Sequence, residues 1–462
     1  MPTDHFSVQS ADPGLAEAKT IIGTCNHFGF CTATCPTYAI THHENESPRG
    51  RIDLIRIMLE TPGAPAPQTV RHLDNCLSCL ACVSTCGVKV DYMHLIDHAR
   101  AYIELHYWRS WTDRLFRFLI AKIVPDRRYF GAALAGGRLV ARFARFMPRQ
   151  VRELLEAVPP ASNGAQDVTA GSYRAAGTMR WRVALLAGCA QRVLTPQINA
   201  ATVRLLTRLG CEVVVAHGAE CCGALTLHMG RTSEARASAK RNIDAWIDEA
   251  ERGGLDAIIV NASGCGTTMK DYGHAFRHDP RYHERAQRVA ALTVDVSEFI
   301  DRIGLHAPSV ARHYKVAYHD ACSLRNGQRV TRQPRRLLRS AGYVVVDVPE
   351  AGFCCGSAGT YNLLQPQIAR QLGERKSRHA ESTGAAMLAV GNVGCITQLS
   401  RYTQLPVVHT VELLDWATGG PMPPGLKGRR IQECIMHPEA SHDAAGLISA
   451  SEGETATGIG VW

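Results

Sequence analysis

Long apolar runs are absent from this 462-residue chain. No stretch contains eighteen apolar residues without a charge, so the sequence predicts no membrane-spanning helix. The N-terminal stretch MPTDHFSVQSADPGLAEAKT is polar and has no apolar core, which argues against a secretory signal peptide. The chain also has no G-x-G-x-x-G pattern after a strand and no Walker loop, so we expect no flavin on this chain.

Cysteine, in contrast, is abundant. The chain has 17 cysteines, and without a signal peptide we expect them to be reduced thiols of a cytoplasmic protein, most of them metal ligands. The composition, 45% hydrophobic and 20% charged, is typical of a soluble globular protein. The length allows two or three domains, each with its own core.

The net charge of +9 is concentrated in one segment. Residues 101–150 carry ten Lys or Arg against three Asp or Glu, but no helix-turn-helix, RNP or finger pattern accompanies them, so we expect no nucleic-acid partner. Within this segment, HYWRSWTDRLFRFLIAKIV interleaves arginines with aromatic side chains. It predicts a basic amphipathic helix that docks on the cluster domain or a partner subunit, or lies on an anionic membrane surface; the two are compatible.

Two cysteine runs lie close together near the N-terminus. Residues 76–86, CLSCLACVSTC, have the complete C-x2-C-x2-C-x3-C spacing, and residues 25–36, CNHFGFCTATCP, have it except for Phe28. Three thiolates of such a loop wrap one iron-sulfur cluster, and the fourth ligates the other cluster of the pair. The spacing therefore predicts two clusters. A [4Fe-4S] cluster is bound by Cys35, Cys76, Cys79 and Cys82. The second cluster is bound by Cys25, Cys31 and Cys86.

Phe28 leaves the second site one thiolate short. Four outcomes are open: a [3Fe-4S] cluster, a substitute ligand such as His27, a labile [4Fe-4S] site, or an altered residue. We favour a three-iron or labile cluster. Zinc is the alternative for both runs, but seven cysteines in two such runs, with Pro36 after Cys35, favour iron-sulfur.

The second half of the chain contains a repeat. Each copy has one cysteine, then 31 residues, then a Cys-Cys-Gly tripeptide, and a further cysteine 42 or 39 residues later. Equal spacing in two places indicates duplication. The first copy contributes Cys189, Cys221, Cys222 and Cys265, and the second contributes Cys322, Cys354, Cys355 and Cys395.

Strand and helix patterns alternate in both copies. The patterns predict three strands in the first copy, WRVALLAGC, EVVVAH and DAIIVNASGC. They predict three in the second copy, YKVAYHDAC, YVVVDV and AAMLAVGNVGC, with helices between the strands of each copy. Such βαβ alternation predicts a parallel sheet in each copy, with cysteines where strands end and ligands bind.

The predicted fold class is α+β multidomain, a helical two-cluster ferredoxin-like domain followed by a duplicated α/β domain with parallel sheets. The expected segments are a ferredoxin-type domain, a basic helical segment, a linker, two cysteine-rich domains and a disordered tail: residues 20–100, 101–156, 157–180, 181–300, 312–418 and 430–462.

The sequence resembles the glycolate oxidase iron-sulfur subunits in four features taken together. These are the stretches GFCTATCPTY and SPRGR, the second cysteine run, and the two repeats centred on Cys-Cys-Gly (CCG) tripeptides. The resemblance covers roughly residues 20–415 and extends to the iron-sulfur subunits of other 2-hydroxyacid and glycerol-3-phosphate dehydrogenases. It implies FAD-containing partner subunits that oxidise glycolate to glyoxylate, and electron delivery toward a membrane quinone. Such a protein would be peripheral on the inner face of the cell membrane. Gly87, where proline usually follows the last cysteine, is a loop variation.

The CCG cysteines are similar to those of heterodisulfide reductases, which bind unusual iron-sulfur clusters. Thr268 and Gln398 stand where those proteins have a fifth cysteine in each copy. The resemblance implies an additional cluster, or zinc, on the four cysteines of each copy; the alternative is that some are buried apolar residues. Cys211 and Cys434 are expected to be structural or incidental.

Three histidines lie near the CCG centres: His217, His228 and His319. A metal or substrate role is open, although a hydrogen-bonded histidine at a strand end is more common.

From the cysteine motifs and the family resemblance, we predict an iron-sulfur electron-transfer subunit with no catalytic residue of its own. The rivals are an equivalent subunit for lactate or glycerol-3-phosphate, a heterodisulfide-reductase-like thiol redox protein, and a zinc-bound scaffold.

Overall fold

The computed structural model describes residues 13–141, 167–308 and 313–429. Its N-terminal part is helical. Proline begins several of these helices, where its fixed φ suits the first turn, and Ser47 accepts a hydrogen bond from the Gly50 amide at the start of one of them. The helices are α1 (Pro13–Gly23), α2 (Phe30–Ala33), α3 (Pro36–Thr41), α4 (Pro48–Glu60), α5 (Pro67–Asp74), α6 (Ala81–Thr85) and α7 (Tyr92–His106), with a 3-10 turn at Glu44–Glu46.

Helix α4 has apolar residues at helical spacing along its buried face. Ile52, Ile55 and Met58 are buried, and Leu59 packs beside them. They join residues of α1, α5 and α7 in one apolar cluster that also includes Cys76 and Cys82. The core of this domain therefore continues into the cysteine loops. Two further helices follow, α8 (Trp111–Ile123) and α9 (Arg127–Ala141).

The first cysteine-rich domain contains a five-stranded sheet in the order β1-β3-β2-β4-β5, parallel except for β1, which pairs antiparallel with β3. The strands are β1 (Gly171–Tyr173), β2 (Trp181–Leu185), β3 (Cys211–Val215), β4 (Ala257–Val260) and β5 (Thr293–Asp295). The helices are α10 (Ala190–Leu194), α11 (Pro196–Arg208), α12 (Ala224–His228), α13 (Thr232–Gly253), α14 (Ser263–Lys270), α15 (Tyr272–Ala275), α16 (His283–Leu292) and α17 (Val296–Ile303).

The second cysteine-rich domain repeats this arrangement with a four-stranded parallel sheet in the order β7-β6-β8-β9. The strands are β6 (Lys315–His319), β7 (Val344–Asp347), β8 (Met387–Val390) and β9 (Val407–His409). The helices are α18 (Gln333–Ser340), α19 (Tyr361–Leu364), α20 (Pro366–Glu381), α21 (Val393–Leu399) and α22 (Thr410–Ala417), with a π turn at Ser323–Gly327 and a 3-10 turn at Pro424–Leu426.

The two cysteine-rich domains share one apolar core, which contains residues from both sheets. Helices α11 and α22 pack across the join. There the buried carboxylate of Asp415 accepts hydrogen bonds from Arg204 and Arg208, with nitrogen–oxygen distances of 2.6 and 2.5 Å. The matching strand orders confirm the predicted fold class, with a duplicated parallel α/β unit behind a helical ferredoxin-type domain.

The structure corrects the linker predicted for residues 157–180. Residues 171–173 form β1 and cover the edge of the first sheet, because their backbone pairs with Val213–Val215. Thr195 lies at the start of α11, but its side chain makes no capping hydrogen bond. Residues 142–156 of the basic segment, residues 157–166 of the linker and the tail at 430–462 lie outside the described residues.

Candidate metal centres

Four cysteines of the two N-terminal runs line one small cavity: Cys35, Cys76, Cys79 and Cys82. Each is at most 9% exposed. The loop turns back on itself because Ser78 and Leu80 adopt positive φ values of 47° and 60°. The structure thus brings together the four thiols that the spacing assigns to one cluster, across a gap of about forty residues in sequence.

Two buried donors face these sulfurs. Arg51 Nη1 lies 3.8 Å from Cys35 Sγ, and the Tyr92 hydroxyl donates to Cys76 Sγ at 3.7 Å. Arg51 is only 1% exposed and is paired with Glu46, whose Oε2 is 2.6 Å from Nη2. Burial, and after it the charges of neighbouring thiols, raises the pKa of Cys82. Bound metal is what makes buried thiolates stable, so this set of donors fits an iron-sulfur cluster.

The other three cysteines of these runs are partly exposed: Cys25, Cys31 and Cys86. All three pack against the same apolar cluster. Burial, and then the charges of the nearby Cys25 and Cys86, raise the pKa of Cys31. A hydrogen bond from the Arg49 backbone amide opposes this rise. Phe28 is 64% exposed, with its ring centroid 6.4 Å from that of Phe30.

The possible substitute ligand His27 lies near an acidic side chain. Its Nδ1 is 3.7 Å from Asp53 Oδ2, and both side chains are exposed. We refer to the set of Cys25, Cys31 and Cys86 as the open site and to the set of Cys35, Cys76, Cys79 and Cys82 as the buried site.

In the first cysteine-rich domain the four cysteines of the repeat lie together: Cys189, Cys221, Cys222 and Cys265. Hydrogen bonds from the thiols of Cys189 and Cys222 stabilise a thiolate at Cys221 and lower its pKa. The Gly223 amide also donates to Cys221 Sγ, at 3.5 Å. Gly223 has a φ of 87°, and a Cβ there would lie 2.7 Å from the Ala235 carbonyl oxygen of α13.

The second cysteine-rich domain repeats this geometry. Cys322 Sγ and Cys354 Sγ are 3.7 Å apart, and the Gly356 amide donates to Cys354 Sγ at 3.4 Å. Asn392 Nδ2 lies 3.5 Å from Cys395 Sγ. Gly356 also has a φ of 87°, and a Cβ would meet the Ala369 carbonyl oxygen of α20 at 2.6 Å. The structure brings together all four predicted cysteines of each copy; their metal binding stays a prediction.

The buried site lies directly against the second cysteine-rich domain. Cys79 packs in one apolar cluster with Cys354 and the partly buried Cys322. Asn326 Nδ2 donates to the Cys79 carbonyl oxygen at 2.9 Å, and the Tyr361 hydroxyl donates to the Asn75 carbonyl oxygen at 3.0 Å. Sequence patterns did not indicate these two contacts, since they join residues more than 240 positions apart.

Other residues singled out from the sequence have structural positions. Cys211 is fully buried in β3. Gln398 Nε2 donates to the Ala369 carbonyl oxygen at 2.9 Å, and Thr268 Oγ1 lies 3.4 Å from the Gly264 carbonyl oxygen. His228 Nδ1 is 3.4 Å from Asp97 Oδ1. His217 is exposed, and Cys434 lies outside the described residues.

Helix α8 has two different faces. Arg117 pairs with Asp74, at 3.1 Å, and Ile120 packs with Met229, so one face docks on both neighbouring domains. The other face exposes a stripe at helical spacing: Trp111, Leu115, Phe118 and Leu119. Of the helices that the structure describes, none has the length and apolar character needed to cross a membrane.

Comparison with known proteins gives a consistent result along the chain. The family model "4Fe-4S dicluster domain" matches residues 24–90, and "Cysteine-rich domain" matches residues 183–270 and 316–400. The chain is 38% identical to the glycolate oxidase iron-sulfur subunit of Escherichia coli K12, over 87% of this chain and 95% of that protein.

Two relatives from Bacillus subtilis 168 are also similar. The probable glycolate oxidase iron-sulfur subunit is 30% identical over 86% of this chain and 94% of its own. Lactate utilization protein A is 28% identical over 51% of this chain and 99% of its own. The second relative therefore matches about half of the present chain.

Proposed function

We propose that this chain, which belongs to the glycolate oxidase iron-sulfur subunit family, transfers electrons within an oxidoreductase complex. It receives them from a separate FAD-containing subunit that oxidises glycolate to glyoxylate, and passes them toward a membrane quinone. The observation that carries this proposal is the contact between the buried site and the second cysteine-rich domain, where Cys79 packs with Cys322 and Cys354. Two sets of cysteine ligands in contact would place two metal centres close enough to pass electrons from one to the other.

The cysteines of the buried site hold a [4Fe-4S] cluster, and those of the open site hold a [3Fe-4S] or labile [4Fe-4S] cluster. A bound iron-sulfur cluster supplies one-electron transfer at a potential set by its ligands, hydrogen bonds and exposure. Arg51 and the Tyr92 hydroxyl place positive charge and a donor beside the buried sulfurs. These groups stabilise added negative charge, so they raise the reduction potential of the buried site relative to the open one.

The open site is where the flavoprotein subunit docks. Its cysteines are partly exposed, and two neighbouring aromatic side chains, Phe28 and Phe30, are 64% and 65% exposed. Exposed aromatic side chains around a functional site are typical of an interface with another protein. Electrons therefore enter at the open site, move to the buried site and reach the second cysteine-rich domain.

The exposed stripe of α8 contacts the membrane surface on the inner face of the cell membrane. Trp111 and Phe118 suit the interface region, and Arg114, which lies 4.7 Å from the Trp108 ring, suits lipid phosphates. The test is co-sedimentation of the full chain with vesicles containing phosphatidylglycerol. We expect Trp111→Ser with Phe118→Ser to abolish binding; unchanged binding would contradict membrane contact through this face.

The test of the relay is low-temperature EPR of the anaerobically purified chain, as isolated and after dithionite, with iron and zinc counted on the same sample. We expect iron, a near-isotropic signal close to g of 2 in the oxidised open site, and a reduced four-iron signal. Cys79→Ser should remove the latter and abolish glycolate turnover by the assembled complex. Zinc in place of iron, or full turnover by Cys79→Ser, would overturn the proposal.

The missing ligand at position 28 has its own test. Phe28→Cys should raise the iron bound per chain and convert the three-iron signal to that of a four-iron cluster, because it supplies the fourth thiolate. Phe30→Cys is the matched control, since Phe30 is equally exposed but lies outside the motif spacing. Unchanged iron in Phe28→Cys would show that another residue, such as His27, already completes the site.

A second candidate substrate is lactate. The similarity to lactate utilization protein A favours it, although over only half of this chain. The same relay would serve either substrate, because the substrate pocket lies on the flavoprotein. Copurification of the native complex, followed by assays with glycolate and lactate, distinguishes the two.

A further inference from the structure

His319, at the end of β6, is buried beside two of the cysteines of the second cysteine-rich domain. It is 1% exposed, and neither ring nitrogen has a hydrogen-bond partner among the described residues. A ring nitrogen, Cys355 Sγ and Cys395 Sγ all lie within 4.8 Å of one another. A buried imidazole without any hydrogen bond is costly, so its position calls for a partner that the protein itself does not supply.

The first cysteine-rich domain has a leucine at the position equivalent to His319. The repeat spacing places Leu186 at the position equivalent to His319, three residues before the first cysteine of its copy. Leu186 is 2% exposed and packs in the apolar core of that domain. The fold therefore accepts an apolar side chain here, and histidine is not required for packing.

A second difference between the copies adds positive charge to the same site. Lys376 of α20 is 2% exposed and lies seven residues after Ala369, whose carbonyl oxygen faces Gly356. In the first copy, Asn242 of α13 lies seven residues after Ala235, whose carbonyl oxygen faces Gly223 in the same way, so the two positions are equivalent. Lys376 Nζ donates to the Glu350 carbonyl oxygen at 2.5 Å. Among the described residues, no carboxylate oxygen lies within 4.0 Å of it.

A buried ammonium needs a nearby negative charge. Burial lowers the pKa of Lys376, and the negative charges of the Cys355 and Cys354 thiolates oppose that shift. A metal centre bound by thiolates carries net negative charge and would supply the missing counter-charge. The second site thus has a buried imidazole and a buried amine where the first has Leu186 and Asn242.

We propose that His319 is a nitrogen ligand of the metal centre in the second cysteine-rich domain, together with Cys355 and Cys395. Metal–nitrogen and metal–thiolate bonds of about 2.0 to 2.3 Å allow these atoms to reach one metal with shifts of about an ångström. Imidazole and thiolate together suit iron in a cluster or a zinc ion. The inference rests on the proposed metal binding by this domain, and it makes the two copies chemically different.

The experiment uses the full chain purified anaerobically, with iron and zinc counted per chain, and compares His319→Leu with His409→Asn. Leucine is the residue that the first copy has at this position. His409 is an equally buried strand-end histidine of the same sheet, and its Nδ1 accepts a hydrogen bond from the Val411 amide at 3.1 Å. It is therefore a matched control for the loss of a buried imidazole.

If the metal is iron, pulsed EPR should show a directly bound nitrogen that disappears in His319→Leu and persists in His409→Asn. If it is zinc, X-ray absorption should show one nitrogen at about 2.0 to 2.1 Å, lost in the same variant. In either case we expect His319→Leu to release this metal to a chelator about tenfold faster than the control, or more. His319→Cys, which restores a ligand, should retain the metal without the nitrogen signal.

Two results would overturn the inference, and they differ in what they say of the domain. Unchanged nitrogen coupling and metal retention in His319→Leu would show that the site binds metal without the histidine. If Cys355→Ser also loses no metal relative to the wild-type chain, the domain binds none, and the proposed metal binding by its cysteines fails as well.

Discussion

The ferredoxin-type domain contacts the two cysteine-rich domains in different ways. Toward the first, the contacts are charged: His274 and Arg277 pair with Glu17, and His94 pairs with Asp271. Toward the second, an apolar cluster and hydrogen bonds between neutral groups make the contact, and no ion pair joins the two among the described residues. The apolar contact is the one that contains the buried cysteines.

This difference has a physical meaning for the proposed electron transfer. A dry, apolar contact holds the two cysteine sites at a fixed separation and excludes water, whose reorientation opposes charge movement. The charged contact orients the domain but is partly exposed, so salt and pH act on it. We therefore expect changes in the apolar contact to have large effects that salt does not alter, and changes in the charged contact to have small effects that depend on conditions.

The largest effect is expected from Leu372→Ala. Leu372 is 1% exposed and packs in the cluster with Leu77 and Cys79. Removing it leaves a cavity, so the free energy of unfolding should fall by about 2 to 5 kcal/mol at both low and high salt. Denaturant titration measures this, with the exposed Ile57→Ala as control; equal small effects in both variants would contradict an apolar contact.

A smaller loss is expected from Asn326→Ala. Asn326 donates to the Cys79 carbonyl oxygen and accepts from the Ser84 hydroxyl, at 2.9 and 3.0 Å. Its loss leaves a buried carbonyl unpaired, which should cost about 1 to 3 kcal/mol of unfolding free energy. Ser84→Ala is the control because it removes only the second hydrogen bond. If Ser84→Ala costs as much, the contact to Cys79 is not the important one.

On the charged side, Glu17→Gln should lower the free energy of unfolding by at most about 1 kcal/mol in low salt. Its carboxylate is 31% exposed and pairs with His274 at 2.8 Å. Added salt should reduce the difference between variant and wild type, because ions screen exposed pairs. Glu60→Gln changes the same charge at an exposed position and should have no effect; a salt-independent loss in Glu17→Gln would place this contact with the apolar one.

The charged contact should also show a pH dependence, at His94. Burial opposes its protonation, but hydrogen bonds to Asp271 and Asp91 outweigh burial and raise its pKa from 6.5 to about 10. A raised pKa means that the stabilising contribution is complete below pH 6.5 and is lost as pH rises toward 10. The stability difference between wild type and His94→Asn should shrink across that range; a difference that grows with pH would contradict the assignment.

Much of the fold could be predicted because it is local or periodic. The helices expected between the strands of the two copies are present, among them Thr232–Gly253 and Pro366–Glu381. The strands β5 and β9 were not predicted, since each is three residues long and follows no recognisable pattern. The strand at 171–173 was missed because Gly and Ser favour a linker in any reading of composition.

The candidate sites divide in the same way. Cysteine spacing indicated which thiols lie together, and the structure brings those sets together. Arg51 lies in the SPRGR motif, but its sequence position indicates no role, because only the folded chain shows that it is buried beside Cys35. Lys376 and Leu186 gain meaning only when the two copies are aligned position by position. Residues whose role depends on their contacts in the folded chain are thus harder to identify from the sequence than residues that belong to a motif of fixed spacing.

The glycines of the two Cys-Cys-Gly tripeptides have a consequence for how such repeats evolve. At Gly223 and Gly356 the backbone of the next long helix limits side-chain size, because a carbonyl oxygen lies 2.7 and 2.6 Å from where a Cβ would lie. A copy that lost its cysteines through drift would still have to keep this glycine, or its helix would move outward. The glycine in a diverged homologue therefore reports that the fold is retained, while only the cysteines report whether the chemistry is.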